Sequence, residues 1–119
     1  MKPEQIAQKM IYEYISKYTD LPFHHSPNEG KRKIQYGAIL KSMGLMAGFS
    51  DIFIPRATEL FYGTFIEIKI KPNKPTEAQL NFVSNMLREG YYAKIISEKT
   101  PAELFDATIL DIKTIYGLK

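Results

Sequence analysis

The sequence predicts an α/β fold in which a mixed β-sheet is flanked by helices. Three observations carry this. Phe65-Ile66-Glu67-Ile68-Lys69-Ile70 alternates isoleucine with other residues, which is the period of a strand. Thr76-Glu77-Ala78-Gln79 and Thr100-Pro101-Ala102-Glu103 are two capping boxes, each opening an apolar-periodic segment. Tyr91 to Ile96 lies between those two helices and reads as a further strand. A strand, a crossover helix and another strand build the parallel part of a sheet, and a hairpin ahead of them makes it mixed.

The elements follow in order. Over residues 3–19, Ile6, Met10, Ile11, Tyr14, Ile15 and Tyr18 form one stripe, which predicts an amphipathic helix. Pro22 and Pro27 interrupt the next segment, so 21–25 is a loop or an extra short strand. Asn28 is a good N-cap for a second helix, with Glu29 in its first turn and Gly44 as its stop after Met43. Ser50 to Ile54 reads as a buried strand ended by Pro55, and Gly63 to Ile70 as its hairpin partner. Pro72-Asn73-Lys74-Pro75 is a turn. The helix after Thr76 is expected to face the core with Leu80, Val83 and Leu87, and Gly90 ends it. The last helix is expected to bury Leu104, Phe105, Thr108, Ile112 and Ile115. With 119 residues and no repeat or linker, residues 1–119 are expected to form a single domain.

Composition narrows the function classes. With no cysteine, disulfides, thiolate zinc sites and cysteine nucleophiles are all excluded. Charges in Met1-Lys2-Pro3-Glu4 stand where a signal peptide needs an apolar stretch, and no run is long enough to span a bilayer, so a cytoplasmic protein is expected. The net charge of +3 is mild, but Lys31-Arg32-Lys33 is a basic cluster that a phosphate backbone could use.

The chemistry is concentrated on two strands. Glu67 and Lys69 share one strand face, about 6–7 Å apart along it, with Ile66, Ile68 and Ile70 on the other. Asp51 opens the neighbouring strand. Two carboxylates and a lysine converging there can hold a divalent cation beside a water, the equipment for hydrolysing a phosphodiester. The same alternation also describes a solvated sheet face, so the surrounding residues matter.

Those surroundings are Asn28-Glu29-Gly30-Lys31-Arg32 ahead of a helix, Met43-Gly44-Leu45-Met46-Ala47-Gly48-Phe49-Ser50-Asp51, Phe65-Ile66-Glu67-Ile68-Lys69 and Thr76-Glu77-Ala78-Gln79. In this order and spacing they resemble the virus-type replication and repair nuclease domain, VRR-NUC, of the PD-(D/E)XK nuclease superfamily. The resemblance spans roughly residues 22–98. It implies a restriction-endonuclease-like core, αβββαβ, and a metal-dependent endodeoxyribonuclease. By position it implies that Asp51 and Glu67 ligate Mg²⁺ or Mn²⁺, with the backbone carbonyl of Ile68 as a further ligand. Glu29 would reach the same metal from helix two, directly or through water. Lys69 would hold the attacking water, and Gln79 would sit near the metal or Lys69. Lys31, Arg32 and Lys33 become candidate contacts to DNA phosphates. The superfamily's proline is Ser50 here, a position that contributes no ligand.

The resemblance further implies a homodimer acting on branched DNA such as a Holliday junction, since two symmetric cuts need two sites. It implies a bacterial or virus-infected host cell as the setting. A catalytically silent DNA-binding or repair-partner module of the same fold is the alternative, as is an interaction domain whose charged strand is coincidental. His24 and His25 are called for by no motif. Adjacent residues on an extended segment point to opposite sides, so at most one could face the site.

Overall fold

The computed structural model of the chain describes residues 1–26 and 34–119, with side chains at 1–26 and 37–119. In chain order the elements are α1 (Pro3–Tyr18), β1 (His24–His25), α2 (Ile34–Ser42), β2 (Ile52–Ile54), β3 (Thr64–Ile70), α3 (Glu77–Arg88), β4 (Tyr92–Glu98) and α4 (Pro101–Tyr116). The strands pair in the order β1-β2-β3-β4. The first two pairings are antiparallel and β3 with β4 is parallel. The expected hairpin and helical crossover are therefore both present, and the extra strand in 21–25 is β1.

Boundaries differ for physical reasons. β2 begins at Ile52 rather than Ser50, because the Ile68 N–H donates to the Asp51 side chain at Oδ2 (3.0 Å) and not to another backbone carbonyl. β4 extends past Ile96, since its parallel pairing with β3 continues through Lys69↔Ser97 and Ile70↔Glu98. The expected helix start at Asn28 lies outside the described residues; its end is as read, with Gly44 at a φ of 104°.

The sheet has two unlike faces. Ile52, Ile54, Ile66, Ile68, Ile70 and Ile96 pack under α1 and α4 against Ile11, Ile15, Leu104 and Ile112. Each buried isoleucine contributes about 1.5–3 kcal/mol. The opposite face carries Phe65 and Ala93 against Phe82 of α3, with Phe49, Phe53 and Tyr91 half-buried around them.

One helix is rotated from its expected setting. Leu80 and Leu87 are each 50% exposed, while α3 buries Gln79 and Phe82 and packs Val83 and Met86 beside them. Positions 79, 82, 83 and 86 form the same i, i+3, i+4, i+7 stripe, turned by about 100°. The apolar pattern misleads because a polar residue, Gln79, holds a core position. On α4, Leu104, Thr108 and Ile112 are buried as read, but Ile109 joins them while Phe105 and Ile115 are half-buried. On α1, Ile11 and Ile15 are buried with Ala7 and Gln8, whereas Ile6 and Tyr18 are exposed. Among the described residues no helix is long and apolar enough to cross a membrane.

Candidate active site

The β2–β3 register pairs Ile52 with Ile66, and one more step sets Asp51 across from Glu67 on the same face. Asp51 reaches this place through a close approach. Gly48 has a φ of 74°, and a Cβ there would run into the backbone carbonyl of Ala78. Glycine thus lets the segment before β2 lie directly on the first turn of α3, beside Gln79.

Asp51 is held on both sides. Its Oδ2 accepts from Ile68 N–H (3.0 Å), and its backbone carbonyl accepts from Ser26 N–H (2.8 Å). His25 Nδ1 lies 3.1 Å from that carbonyl. A carbonyl can only accept, so Nδ1 carries a proton and donates it there. On the β3 edge that β2 leaves open, Ile70 N–H donates to Glu4 Oε2 (2.9 Å), which also takes Asn73 Nδ2 (3.2 Å). Residues that turn their N–H toward an antiparallel edge turn their C=O the same way, so the Ile68 carbonyl faces that edge too.

Glu67 is 2% exposed. Its Oε2 accepts from Gln79 Nε2 (3.3 Å) and lies 3.8 Å from Lys69 Nζ, while its Oε1 has no hydrogen-bond partner among the described residues. Gln79 does two jobs at once. Thr76 N–H donates to its Oε1 (2.8 Å) and its own N–H donates to Thr76 Oγ1 (3.1 Å), closing the capping box while Nε2 points at Glu67.

The carboxyls are electrostatically strained. Burial, then the close side-chain approach of Asp51, then that neighbour's charge push Glu67 up to about 9. Lys69 pulls the other way but by less, so its contact with Glu67 is not a settled ion pair. Burial also raises Asp51, opposed by its close approach to Glu67, by its bond from Ile68 N–H and by the charges of Lys69 and His25. Two acids crowded out of water, one with an orphaned oxygen, form a place where a cation would relieve the cost.

These groups line one cleft of about 1050 Å³. It brings together Asp51, Glu67, Ile68, Lys69 and Gln79, all named from the sequence. Glu29, Lys31, Arg32 and Lys33 lie outside the described residues. Sequence reasoning missed Glu4 and left out His25, both of which line the cleft. The first is a first-turn acid whose partner is 66 residues away, which no local pattern signals. For the second, the alternation rule correctly allowed one histidine of the pair.

Among the described residues no cluster of three acidic or histidine side chains is preformed. The donor set is instead two carboxylates and a carbonyl, which suits Mg²⁺, an ion that keeps several waters of its own.

A VRR_NUC domain protein of known structure matches with a TM-score of 0.72 over 96% of this chain and 87% of that one, at 23% sequence identity. The chain has the VRR-NUC fold. No family model matches the sequence, and no curated protein does. The likeness to the VRR-NUC protein is one of fold, and the site rests on this chain's own residues. Ser50 is fully buried, and its hydroxyl has no partner among the described residues.

Proposed function

We propose that the chain is a metal-dependent DNA endonuclease that hydrolyses phosphodiester bonds in branched DNA such as a Holliday junction. The observation that carries this is the convergence of Asp51, Glu67, Lys69 and Gln79 in one cleft, with Glu67 Oε1 unpartnered. Asp51 and Glu67, with the Ile68 carbonyl, would hold Mg²⁺ or Mn²⁺, and Glu29 would add to the set. When bound, the ion supplies charge neutralisation at the phosphate and a more acidic water.

The chain's own groups do the rest. Ile68 N–H and Gln79 Nε2 fix the two carboxylates, so that neither swings away when a phosphate approaches. Lys69 Nζ orients the attacking water and offsets the charge that grows on the phosphorane oxygens. Lys31, Arg32 and Lys33 would contact neighbouring phosphates without reading bases. A homodimer fits because each chain brings one site and a junction needs two symmetric cuts. Exposed Ile39, Met43, Leu45 and Met46, on and just after α2, offer an apolar surface for the second copy. A DNA substrate agrees with a cytoplasmic setting in a bacterium or an infected host cell.

The test is cleavage of a labelled four-way junction beside linear duplex and single strand, in Mg²⁺, Mn²⁺ and EDTA, with Asp51→Ala and Lys69→Ala. Symmetric metal-dependent cuts lost in both variants are expected. Equal cutting of all three substrates would keep the nuclease and remove the junction preference. No cutting by folded wild type would favour the silent DNA-binding module.

A further inference from the structure

The wall of the cleft furthest from α3 comes from α1 and the residue before β1, which take no part in the proposed hydrolysis. Glu4, Gln8 and Tyr12 follow one another at i, i+4 spacing and stand in a row on α1. Glu4 is engaged at the β3 edge. Gln8 is 8% exposed, and neither its Nε2 nor its Oε1 has a hydrogen-bond partner. Buried amides are nearly always paired, and this one has no partner among the described residues. One turn on, Tyr12 is 50% exposed and its ring meets that of Phe23 at 5.6 Å between centroids, tilted by 53°. Gln8, Tyr12 and Phe23 line the same cleft as Asp51, Glu67 and Lys69. Phe23 stands two residues before His25, a span of at most about 7 Å. Since His25 touches the Asp51 carbonyl and all of these residues line one cleft, the aromatic pair lies along the cleft from the carboxylates.

From this juxtaposition we infer that the α1 wall takes an unstacked nucleotide of the DNA strand being cut. The Tyr12–Phe23 pair offers the base a face, and the Gln8 amide, shut off from solvent in the free chain, must turn toward the cleft to offer its edge a donor and an acceptor together. Stacking on aromatic side chains tolerates any base, whereas an amide pairs at both ends with an edge such as that of adenine. Lys2 and Lys9 on the same wall add positive charge for the strand's phosphates. A base inside intact duplex is stacked on both sides and cannot occupy this wall. The substrate class is therefore DNA with a single-stranded or frayed nucleotide beside the scissile phosphate: a tail, a flap or the crossover of a junction. The inference rests on the nuclease reading for the scissile phosphate and adds the state of the neighbouring base.

The experiment measures binding of the full chain in EDTA to a duplex with a single-stranded tail and to the same duplex made blunt, for wild type, Tyr12→Phe, Tyr12→Ala and Gln8→Leu, with melting curves for each. Wild type is expected to prefer the tailed duplex. Tyr12→Phe should keep that preference, and Tyr12→Ala should lose about tenfold in affinity for the tailed duplex. Gln8→Leu should raise the melting temperature, because an unpartnered amide is gone, and yet weaken tailed-duplex binding. Equal binding of tailed and blunt duplex by wild type overturns the inference. So does a Tyr12→Ala variant that keeps the preference, or a Gln8→Leu variant that is stabilised with unchanged affinity. Wild type that prefers tails but never cuts in Mg²⁺ would leave this inference standing and remove the nuclease reading. Wild type that cuts yet binds both duplexes alike would do the reverse.

Discussion

On the face of β3 that α3 covers, Phe65 and Glu67 are two residues apart and both are buried, at 5% and 2% exposed. Their surroundings could hardly differ more. Phe65 stacks on Phe53 at 4.4 Å and meets Phe82 and Tyr91 edge-on, each at 5.2 Å between centroids. Glu67 has a crowding acid neighbour, a long contact to Lys69 and an oxygen with no partner. The difference teaches that one strand face can serve as closed core at one end and as an unfinished site at the other. Stability resides in the first end, and the second carries groups that lack a full set of partners among the described residues.

The sharpest way to break this comparison is to cut each end back. Glu67→Gln is expected to lower metal-dependent cleavage by at least about 10²–10³-fold, the scale of removing one electrostatic stabiliser from an active site. It should leave the melting temperature unchanged or raised, because it replaces an acid that burial already drives toward its neutral form. Phe65→Ala should cost about 3–5 kcal/mol in a calorimetric or denaturant melt, since four rings, one stacked and three edge-on, lose their common neighbour. If Glu67→Gln proves as destabilising as Phe65→Ala, the site end is structural and the contrast is gone.

A smaller effect follows from the direction in which the Glu67 carboxyl is shifted. Its folded value of about 9 stands above the ordinary 4.5, so the metal-free fold binds the proton more tightly than the unfolded chain does. Stability is then full below about 4.5 and falls as pH rises toward 9. We expect stability to fall progressively across that window in EDTA. Mg²⁺ at about 100 times its dissociation constant should return about 2.7 kcal/mol, and more readily at the alkaline end, because the ion favours the ionised acid. Melting temperature against pH, with and without Mg²⁺, checks both signs. A flat metal-free profile would show that Glu67 is already satisfied within the fold.

Much of this arrangement was legible in the chain, and the illegible parts share a cause. Alternation through Ile66, Glu67, Ile68 and Lys69 gave the strand and the shared face of its charges, because strand geometry is local. Thr76 and Gln79 gave the start of α3 for the same reason. What local pattern could not give was the rotation of α3, since Leu80 and Leu87 read as core until a polar residue is known to be buried at Gln79. Nor could it give Glu4 at the edge of β3, because the N–H it accepts from belongs to a strand 66 residues away. The start of β2 was misread because Asp51 takes by its side chain the N–H of Ile68. In each case a polar side chain stands where a backbone group or an apolar residue was expected, and each of them borders the cleft.

Gln79 lets the two roles of one such residue be separated. Thr76→Ala removes the hydroxyl that accepts from Gln79 N–H and should cost about 1 kcal/mol of stability, the usual worth of an N-cap. Gln79→Glu keeps an oxygen to accept from Thr76 N–H, so the cap survives, but it exchanges the amide that donates to Glu67 for a second acid. Cleavage should fall about 10–100-fold, the scale of losing an outer partner of a metal-ligating group, while metal-free stability at pH 8 drops further than at pH 5. The two variants therefore move opposite readouts: the first mainly the melt, the second mainly the rate and its pH dependence. Should Gln79→Glu cut as fast as wild type, the bond from Gln79 to Glu67 has no part in holding the site, and the amide is a helix cap alone.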